Sequence, residues 1–416
     1  MTDVLSIMAT AAVSRFPRPE FDGGHVIPTT SAPLPSGAAT HMLDLAALGL
    51  ALAFAAYIAL RWRSRRAMAG LSIFSLVYFG FVRHGCLCSI GALQNVSLAL
   101  FDASAPAPWL VFAYFAGPLV FALFFGRVFC GGVCPLGMIQ DVVAWRPVKI
   151  PRWLERALGL FPYVYLAAAV LFAATGTAFL ICRFDPFVGF FRFSGPLPMM
   201  LAGTAVLLVG MFVARPYCRF VCPYGVLLRW ASLVAWRRMT IAPVENGKPE
   251  CVNCALCADS CPYGALRAPV PPEKPKESKR RFGALARALL LAPVIVAASG
   301  YAGHLISKPL AGFNREVKLA AVLDESPDAL PFDAETAAAV RERAASVECG
   351  FAVGATAAGI FLGLVAAFSI VALSTRQTGD HFRPDAMKCL SCLRCVEFCP
   401  IEKSVRGASS TVSSGD

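Results

Sequence analysis

Apolar residues run almost unbroken through seven stretches of this chain: Met42–Leu60, Ala67–Val82, Trp109–Phe125, Leu158–Ile181, Leu197–Ala214, Ala288–Ile306 and Phe351–Leu373. None alternates as a half-buried strand would, and most approach the length of about 20 residues that carries a helix across a bilayer core. The second ends at Arg83 and His84, and the third and fifth are shorter than usual spans. The pattern predicts a polytopic all-α membrane protein with about seven transmembrane helices. Between the apolar runs, residues 16–41 are rich in Pro, Gly, Ser and Thr and read as an extended segment. A weak apolar run, Val4–Val13, reads either as a degraded signal peptide or as a disordered tail. The Ala, Glu and Arg content of Ala334–Val347 predicts a surface helix. Gly350, Gly354, Gly359 and Gly363 line the last apolar run and suit close helix packing.

Composition agrees and charge gives an orientation. The chain has 416 residues, 57% of them hydrophobic and 15% charged, where soluble domains carry about a quarter charged residues. A net charge of +12 would suit nucleic acid, but it follows the membrane. With seven spans and the N-terminus outside, 28 of the 38 Lys and Arg fall on one side and 10 on the other. Positive residues stay cytoplasmic. The expectation is a multi-pass protein of the bacterial cytoplasmic (inner) membrane, N-terminus periplasmic and C-terminus cytoplasmic, whose partner is the membrane and not nucleic acid. The chain then divides into a periplasmic segment, 1–41, and a five-helix membrane domain, 42–240. A cytoplasmic segment with a charged, proline-broken linker follows over 241–282, then a sixth membrane helix over 283–306. A periplasmic loop, 307–349, a seventh helix, 350–374, and a cytoplasmic segment, 375–416, complete it.

Twelve of the 16 cysteines repeat one pattern, Cys-x3-Cys-Pro. Two copies extend to Cys-x2-Cys-x2-Cys-x3-Cys-Pro: Cys251, Cys254, Cys257 and Cys261 before Pro262, and Cys389, Cys392, Cys395 and Cys399 before Pro400. This is the ligand run of two-cluster bacterial ferredoxins, where three cysteines hold one 4Fe–4S cube and the fourth serves the other. It predicts one cluster on Cys251, Cys254, Cys257 and Cys399, and a second on Cys389, Cys392, Cys395 and Cys261. The fold around them would be a small α+β bacterial-type ferredoxin domain built from two distant segments. Two membrane crossings between the motifs return the chain to the same side, so such a domain can close. Zinc also takes Cys-x2-Cys pairs, but does not need the third and fourth cysteines at these spacings. The charge count puts all four copies on the cytoplasmic side, where thiols stay reduced.

The other two copies end apolar helices and form an internal repeat. Cys130 and Cys134 follow Phe-Gly-Arg127-Val-Phe, and Cys218 and Cys222 follow Ala-Arg215-Pro-Tyr. Each is trailed by a basic amphipathic stretch, near Val142–Arg156 and Val226–Arg238. Cys130, Cys134, Cys218 and Cys222 together supply the four ligands of a third 4Fe–4S cluster, or else remain structural thiols. Cys86, Cys88, Cys182 and Cys349 are left, near the outer ends of helices. There they form disulfides or an outer redox centre. His84 and His304 lie at that level, and a haem would need such axial ligands, whereas a solvated histidine needs none. Arg83, Arg183, Asp185 and Arg192 gather there too, either snorkelling or shaping a quinol head-group site with Asp185 taking a proton.

These residues resemble the membrane-bound iron–sulfur proteins of the NosR/NirI, NapH and CcoG type. The likeness is carried by Cys130/Cys134-Pro135, Cys218/Cys222-Pro223, the two ferredoxin motifs and the stretch Cys182–Arg192, and covers roughly residues 70–270 and 380–405. It lacks the flavin-binding domain of NosR, for which 1–41 leave no room. The resemblance implies electron transfer between the quinone pool or a cytoplasmic donor, such as a flavoprotein, and a periplasmic acceptor. Some members instead support assembly of metal cofactors.

The function expected is membrane-bound electron transfer by a chain of 4Fe–4S clusters. The alternatives are an accessory protein that reduces a metal or cofactor during maturation of another enzyme, and a redox sensor. No nucleophile–His–Asp arrangement, Gly-x-Gly-x-x-Gly run or P-loop is present. A hydrocarbon core of about 30 Å is too thick for one efficient tunnelling step. Transfer to an outer partner therefore calls for a further centre, with Cys86, Cys88 and Cys182 close together.

Overall fold

Helices make up nearly all the regular structure of the computed structural model, which describes residues 38–85, 89–102, 107–241, 244–245, 248–249, 251–270, 275–325, 334–374 and 379–402. Helix α1 (Ala38–Tyr57) runs on through a π-helical stretch, Ile58–Trp62, and α2 (Arg65–Ser75) through another, Leu76–Val82. Between them the chain turns at Arg63, in the left-handed region at φ 53°, and Ser64 Oγ caps α2 by accepting from Ala67 N. After α3 (Ser89–Phe101) and α4 (Trp109–Phe125), a π-helical turn, Phe129–Val133, carries the first half-motif into α5 (Pro135–Val143). Pro135 stands at the first turn of α5, where its missing N–H costs nothing. Helices α6 (Arg152–Leu158) and α7 (Phe161–Ala174) lead to two five-residue helices, α8 (Leu180–Phe184) and α9 (Val188–Arg192). Then come α10 (Leu197–Phe212), α11 (Pro216–Phe220) and α12 (Tyr224–Leu233).

Beyond them β1 (Val244–Glu245) pairs antiparallel with β2 (Lys248–Pro249), followed by α13 (Leu256–Ser260) and β3 (Leu266–Arg267). The long helices α14 (Pro275–Ala311) and α16 (Ala334–Ser374) flank α15 (Arg315–Glu325), and β4 (Arg383–Pro384) and α17 (Arg394–Glu397) come last. Strand β3 pairs antiparallel with β4, Leu266 opposite Pro384 and Arg267 opposite Arg383, and Val270 bridges to Gly379. An ion pair from Arg267 Nε to Asp385 Oδ2 at 2.8 Å reinforces the pairing, and α13 packs on α17.

Among the described residues five helices are long and apolar enough to cross a membrane: Ala39–Trp62, Arg65–Val82, Trp153–Ala174, Arg281–Ala311 and Ala334–Leu373. These take in four of the seven apolar runs whole and the run Leu158–Ile181 as far as Ala174. The other two runs fold as α4 and α10, of 17 and 16 residues, rising about 25 Å at 1.5 Å per residue, short of a full core. A further apolar helix, α3, was not expected; its 13 residues are mostly buried. The 41 residues of α16 join the expected surface helix to the expected last span without a break. In place of an open 307–349 loop, the described residues form the end of α14, α15 and the start of α16. Helices α14 and α16 pack at backbone distance: a Cβ on Gly359 would stand 2.2 Å from Ser299 O, and one on Gly303 2.2 Å from Ala355 O. Gly363 faces Val296, Gly354 faces Leu171 and Gly350 faces Thr175.

Candidate functional site

The two ferredoxin motifs adopt the same unusual backbone. Asn253 and Ala255 have φ of 54° and 62°, and Ser391 and Leu393, at the matching places between cysteines, have φ of 53° and 63°. For residues other than glycine this left-handed region is uncommon and costs energy. Alternating it with right-handed residues turns successive N–H groups inward, a nest for an anionic group such as an iron–sulfur centre. Ser391 N accordingly points at Cys389 Sγ, 3.4 Å away.

Cys251, Cys254, Cys257 and Cys399 all line one cavity of 370 Å³, and Cys389 of the second motif lines it too. Burial pushes the Cys257 thiol up to about 11, and the other thiols that act on it are Cys251, Cys254 and Cys399. The second set has the same signature. Burial raises the Cys389 thiol to about 12, with Cys392 and Cys261 as neighbours. It raises Cys395 well above the ordinary value, with Cys392, Cys389 and Cys261 acting before Cys257. The fourth cysteine of each motif thus stands with the other motif. In the half-motifs, burial raises Cys134, on which Cys218, Cys130 and Cys222 act in turn. Among the described residues no three His, Cys, Asp or Glu side chains close on a single metal ion. Buried cysteines that neighbour one another, left-handed residues between them and a cavity lined by five of them suit iron–sulfur binding.

Buried polar groups fix these sets. Arg215, itself at φ 48° before Pro216, is 2% exposed. Its Nε and NH2 donate to Asp141 Oδ1 and Oδ2 at 3.0 and 2.7 Å, and its NH1 donates to Cys130 O. Tyr263, two residues after Cys261, donates its hydroxyl to Asp141 Oδ1 at 3.2 Å. Gln140 Nε2 donates to Cys218 Sγ at 3.4 Å while its Oε1 accepts from Tyr217 N at 3.0 Å. Gly225 N donates to Cys222 Sγ at 3.3 Å. Arg127, 3% exposed, donates to Met387 O at 3.0 Å and to Cys130 Sγ at 3.7 Å. Gly131 lies so close to the second ferredoxin motif that a Cβ would stand 2.3 Å from Leu390 O. The half-motif loop and the second ferredoxin motif are therefore in direct packing contact, and Cys130, Cys389 and Cys392 pack on one apolar cluster that includes Cys261 and Leu390.

Of the residues expected at the outer face, Cys182, Asp185 and Arg192 stand beside the half-motif set. Helix α9 packs on α10, where Gly203 leaves room: a Cβ there would meet Pro186 O and the Phe190 ring, each at 2.3 Å. Phe187 then reaches the ring of Tyr217, next to Cys218, with centroids 5.4 Å apart. Cys182, Asp185 and Arg192 share a 230 Å³ cavity with Cys134 of the half-motif set. Asp185 is 4% exposed and accepts from Phe187 N at 2.9 Å. Burial raises its carboxyl to about 6.

Arg83 belongs elsewhere, paired with Asp44, which also accepts from Tyr78 Oη at 2.9 Å. Arg183 stacks over Phe184. His84 holds Nδ1 3.3 Å from Phe191 O, and His304 lies within α14. Cys182 and Cys349 are exposed free thiols; Cys86 and Cys88 lie outside the described residues. Sequence reasoning missed Asp44, Arg127, Gln140, Asp141, Arg215 and Tyr263. Only Asp44 carried a signal, as a carboxylate inside an apolar run.

A family model described as a 4Fe-4S binding domain matches residues 107–160 and 195–240. Each matched stretch carries one half-motif, Cys130/Cys134 and Cys218/Cys222. The chain is 30% identical to Protein NirI of Paracoccus denitrificans over 219 residues, 49% of this chain and 31% of that protein. It is 26% identical to Regulatory protein NosR of Stutzerimonas stutzeri, over 49% of this chain and 29% of NosR. It is 27% identical to the methylamine utilization ferredoxin-type protein MauN of Paracoccus denitrificans, over 38% of this chain and 58% of MauN. The chain thus spans about a third of NirI and NosR. No solved structure matches it.

Proposed function

We propose that this chain, a member of the NosR/NirI-type family of membrane-bound ferredoxin-like proteins, carries electrons between a quinol or cytoplasmic donor and a redox partner in the membrane or periplasm. One 4Fe–4S cluster belongs on Cys251, Cys254, Cys257 and Cys399, a second on Cys389, Cys392, Cys395 and Cys261, and a third on Cys130, Cys134, Cys218 and Cys222. The observation that carries this reading is the crossed grouping, in which Cys399 walls the cavity of the first motif and Cys261 neighbours the second. Such clusters, when bound, take up and release single electrons, at potentials tuned by charge, hydrogen bonds to sulfur and exposure. The chain's own residues do the rest. The cysteines would hold the iron as thiolates, while Gln140 and the Gly225 and Ser391 N–H groups donate to sulfur and the surrounding apolar side chains exclude water. The ferredoxin domain is built from two segments, closed by the β3–β4 pair.

The cavity shared by Cys134, Cys182, Asp185 and Arg192 is where a quinol head group would approach the third set. Asp185, with a carboxyl near 6, is suited to take up its proton there. In this reading the protein sits in the bacterial inner membrane with its cluster sets toward the cytoplasm.

Anaerobic purification with iron and sulfide counting tests the reading. About twelve irons per chain are expected, four for each cube. Three signals should appear in electron paramagnetic resonance on stepwise reduction. Iron near eight, unchanged in Cys134→Ser and Cys222→Ser, would remove the third cluster; iron-free protein would remove the whole reading. Rapid turnover with a quinol or a soluble donor separates an electron carrier from a sensor or a maturation factor.

A further inference from the structure

Arg215, the other buried arginine among the described residues, has its carboxylate in Asp141, and the partly buried Arg63 and Arg219 have Glu402 and Glu155. Arg127 has none among the described residues, although it is 3% exposed. Its NH1 bonds a carbonyl oxygen, its NH2 bonds Cys130 Sγ, and its Nε is buried without a hydrogen-bond partner. A guanidinium cannot shed its proton to escape burial, and an uncompensated buried charge is strongly destabilising. An anion is therefore missing from its surroundings.

The neighbours of Arg127 say what that anion is. It lines the cavity walled by Cys251, Cys254, Cys257 and Cys399. It bonds Cys130 of the half-motif set, and its charge also reaches Cys218, Cys222 and Cys389. All three sets of four cysteines thus converge on one cation. A cube held by four thiolates is a net anion, and becomes more negative on reduction.

We propose that Arg127 is the shared counter-charge of the three iron–sulfur sites, favouring their reduced states and most of all that of the Cys130 set, whose sulfur it touches. This rests on the reading that the cysteine sets hold clusters. The role is one of positioning and tuning, by charge at fixed distance and by a hydrogen bond to a ligand sulfur. Asp141 cancels much of the corresponding influence of Arg215, whereas no carboxylate among the described residues pairs with Arg127.

The test uses the full chain, purified anaerobically with its iron, as wild type, Arg127→Gln and Arg127→Lys. Redox titration followed by electron paramagnetic resonance reads the midpoint of each cluster. In Arg127→Gln the reduced-to-oxidised ratio of the Cys130-set cluster at a given potential should fall at least tenfold, a downward shift of about 59 mV for a one-electron couple. A smaller fall is expected for the other two clusters, and Arg127→Lys should recover most of the shift. Wild-type iron content with unmoved midpoints in Arg127→Gln would overturn the proposal. Equal displacement in both variants, or loss of iron from both, would also overturn it by making the role steric. Wild-type protein without iron would sink the cluster reading itself, a result visible before any variant is made.

Discussion

Replacing Asp141 with asparagine removes the charge against which Arg215 is buried. Arg215 directs two nitrogens at the Asp141 carboxylate, at 3.0 and 2.7 Å, from a site where it is only 2% exposed. Asparagine keeps one acceptor oxygen and turns an NH2 group toward the other nitrogen. One bond keeps its charged donor but loses the charge on its acceptor, and the other is lost, while the guanidinium keeps its charge. Removing one partner of a buried pair costs about 3–5 kcal/mol. The retained oxygen sets the expectation at the lower end, about 3 kcal/mol, or roughly a hundredfold in an equilibrium constant. Because Arg215 also holds Cys130 O, and Tyr263 leans on Asp141, the half-motif set and the Cys261 set should loosen before the Cys251 set. Thermal unfolding in detergent, with iron counted before and after mild heating, reads both effects. Adding Arg215→Gln should restore part of the loss, with a coupling above about 1 kcal/mol for residues in contact. The pH dependence has a definite sign. Burial alone would raise the Asp141 carboxyl, but the charge and hydrogen bonds of Arg215 prevail and lower it below 3.8. A lowered folded value gives stability that is present above the ordinary carboxylate range and lost as pH falls through the folded value. Wild type and variant should therefore converge only below about pH 4. An Asp141→Asn protein that melts with wild type at neutral pH and keeps all its iron would refute the argument.

Cys399→Ser should abolish the same resonance signal as Cys251→Ser and leave the one that depends on Cys389, and the reverse pattern would mean that each motif ligates its own cube. Gly131→Ala, whose Cβ would meet Leu390 O at 2.3 Å, should cost about 1–3 kcal/mol by overpacking and part the half-motif loop from the second ferredoxin motif; a melting temperature within error of wild type counts against that contact. Asp185→Asn should stabilise the protein, because a carboxyl raised by burial from 3.8 to about 6 penalises the charged form. That penalty grows as pH rises between those values and is complete above them, giving a gain of up to about 3 kcal/mol at pH 8 and none near pH 3. Identical melting of the two proteins at pH 8 would show that Asp185 is solvated.

Much of the helix content was legible because a segment that crosses lipid is fixed by apolar length alone, without reference to its neighbours. Where the outcome depended on neighbours, reading failed. Gly350 stands between the expected surface helix and the expected last span without breaking α16, where it meets Thr175 just past α7 and Gly354 meets Leu171 within it. The cysteine sets were legible as spacing, which is local chemistry. The groups that fix them were not, because Arg127, Asp141 and Tyr263 are ordinary residues at helix ends and turns until folding buries them. The placing of Cys182, Asp185 and Arg192 beside Cys134 was hidden for a similar reason: it goes with Gly203 admitting Pro186 and Phe190, a contact with no signature in either segment.

The pairing of β3 with β4 spans the two long helices α14 and α16, and this has a consequence for biosynthesis. When the first ferredoxin motif leaves the ribosome, the cavity it shares has three of its four thiols, and Cys399 has yet to be translated. The missing sulfur arrives only after α14 and α16 have been made. In the proposed reading both helices cross the bilayer, so a chain that inserts one and not the other would strand Cys389–Cys399 on the far side, where neither shared set could be completed. Iron loading would then be a late checkpoint on insertion.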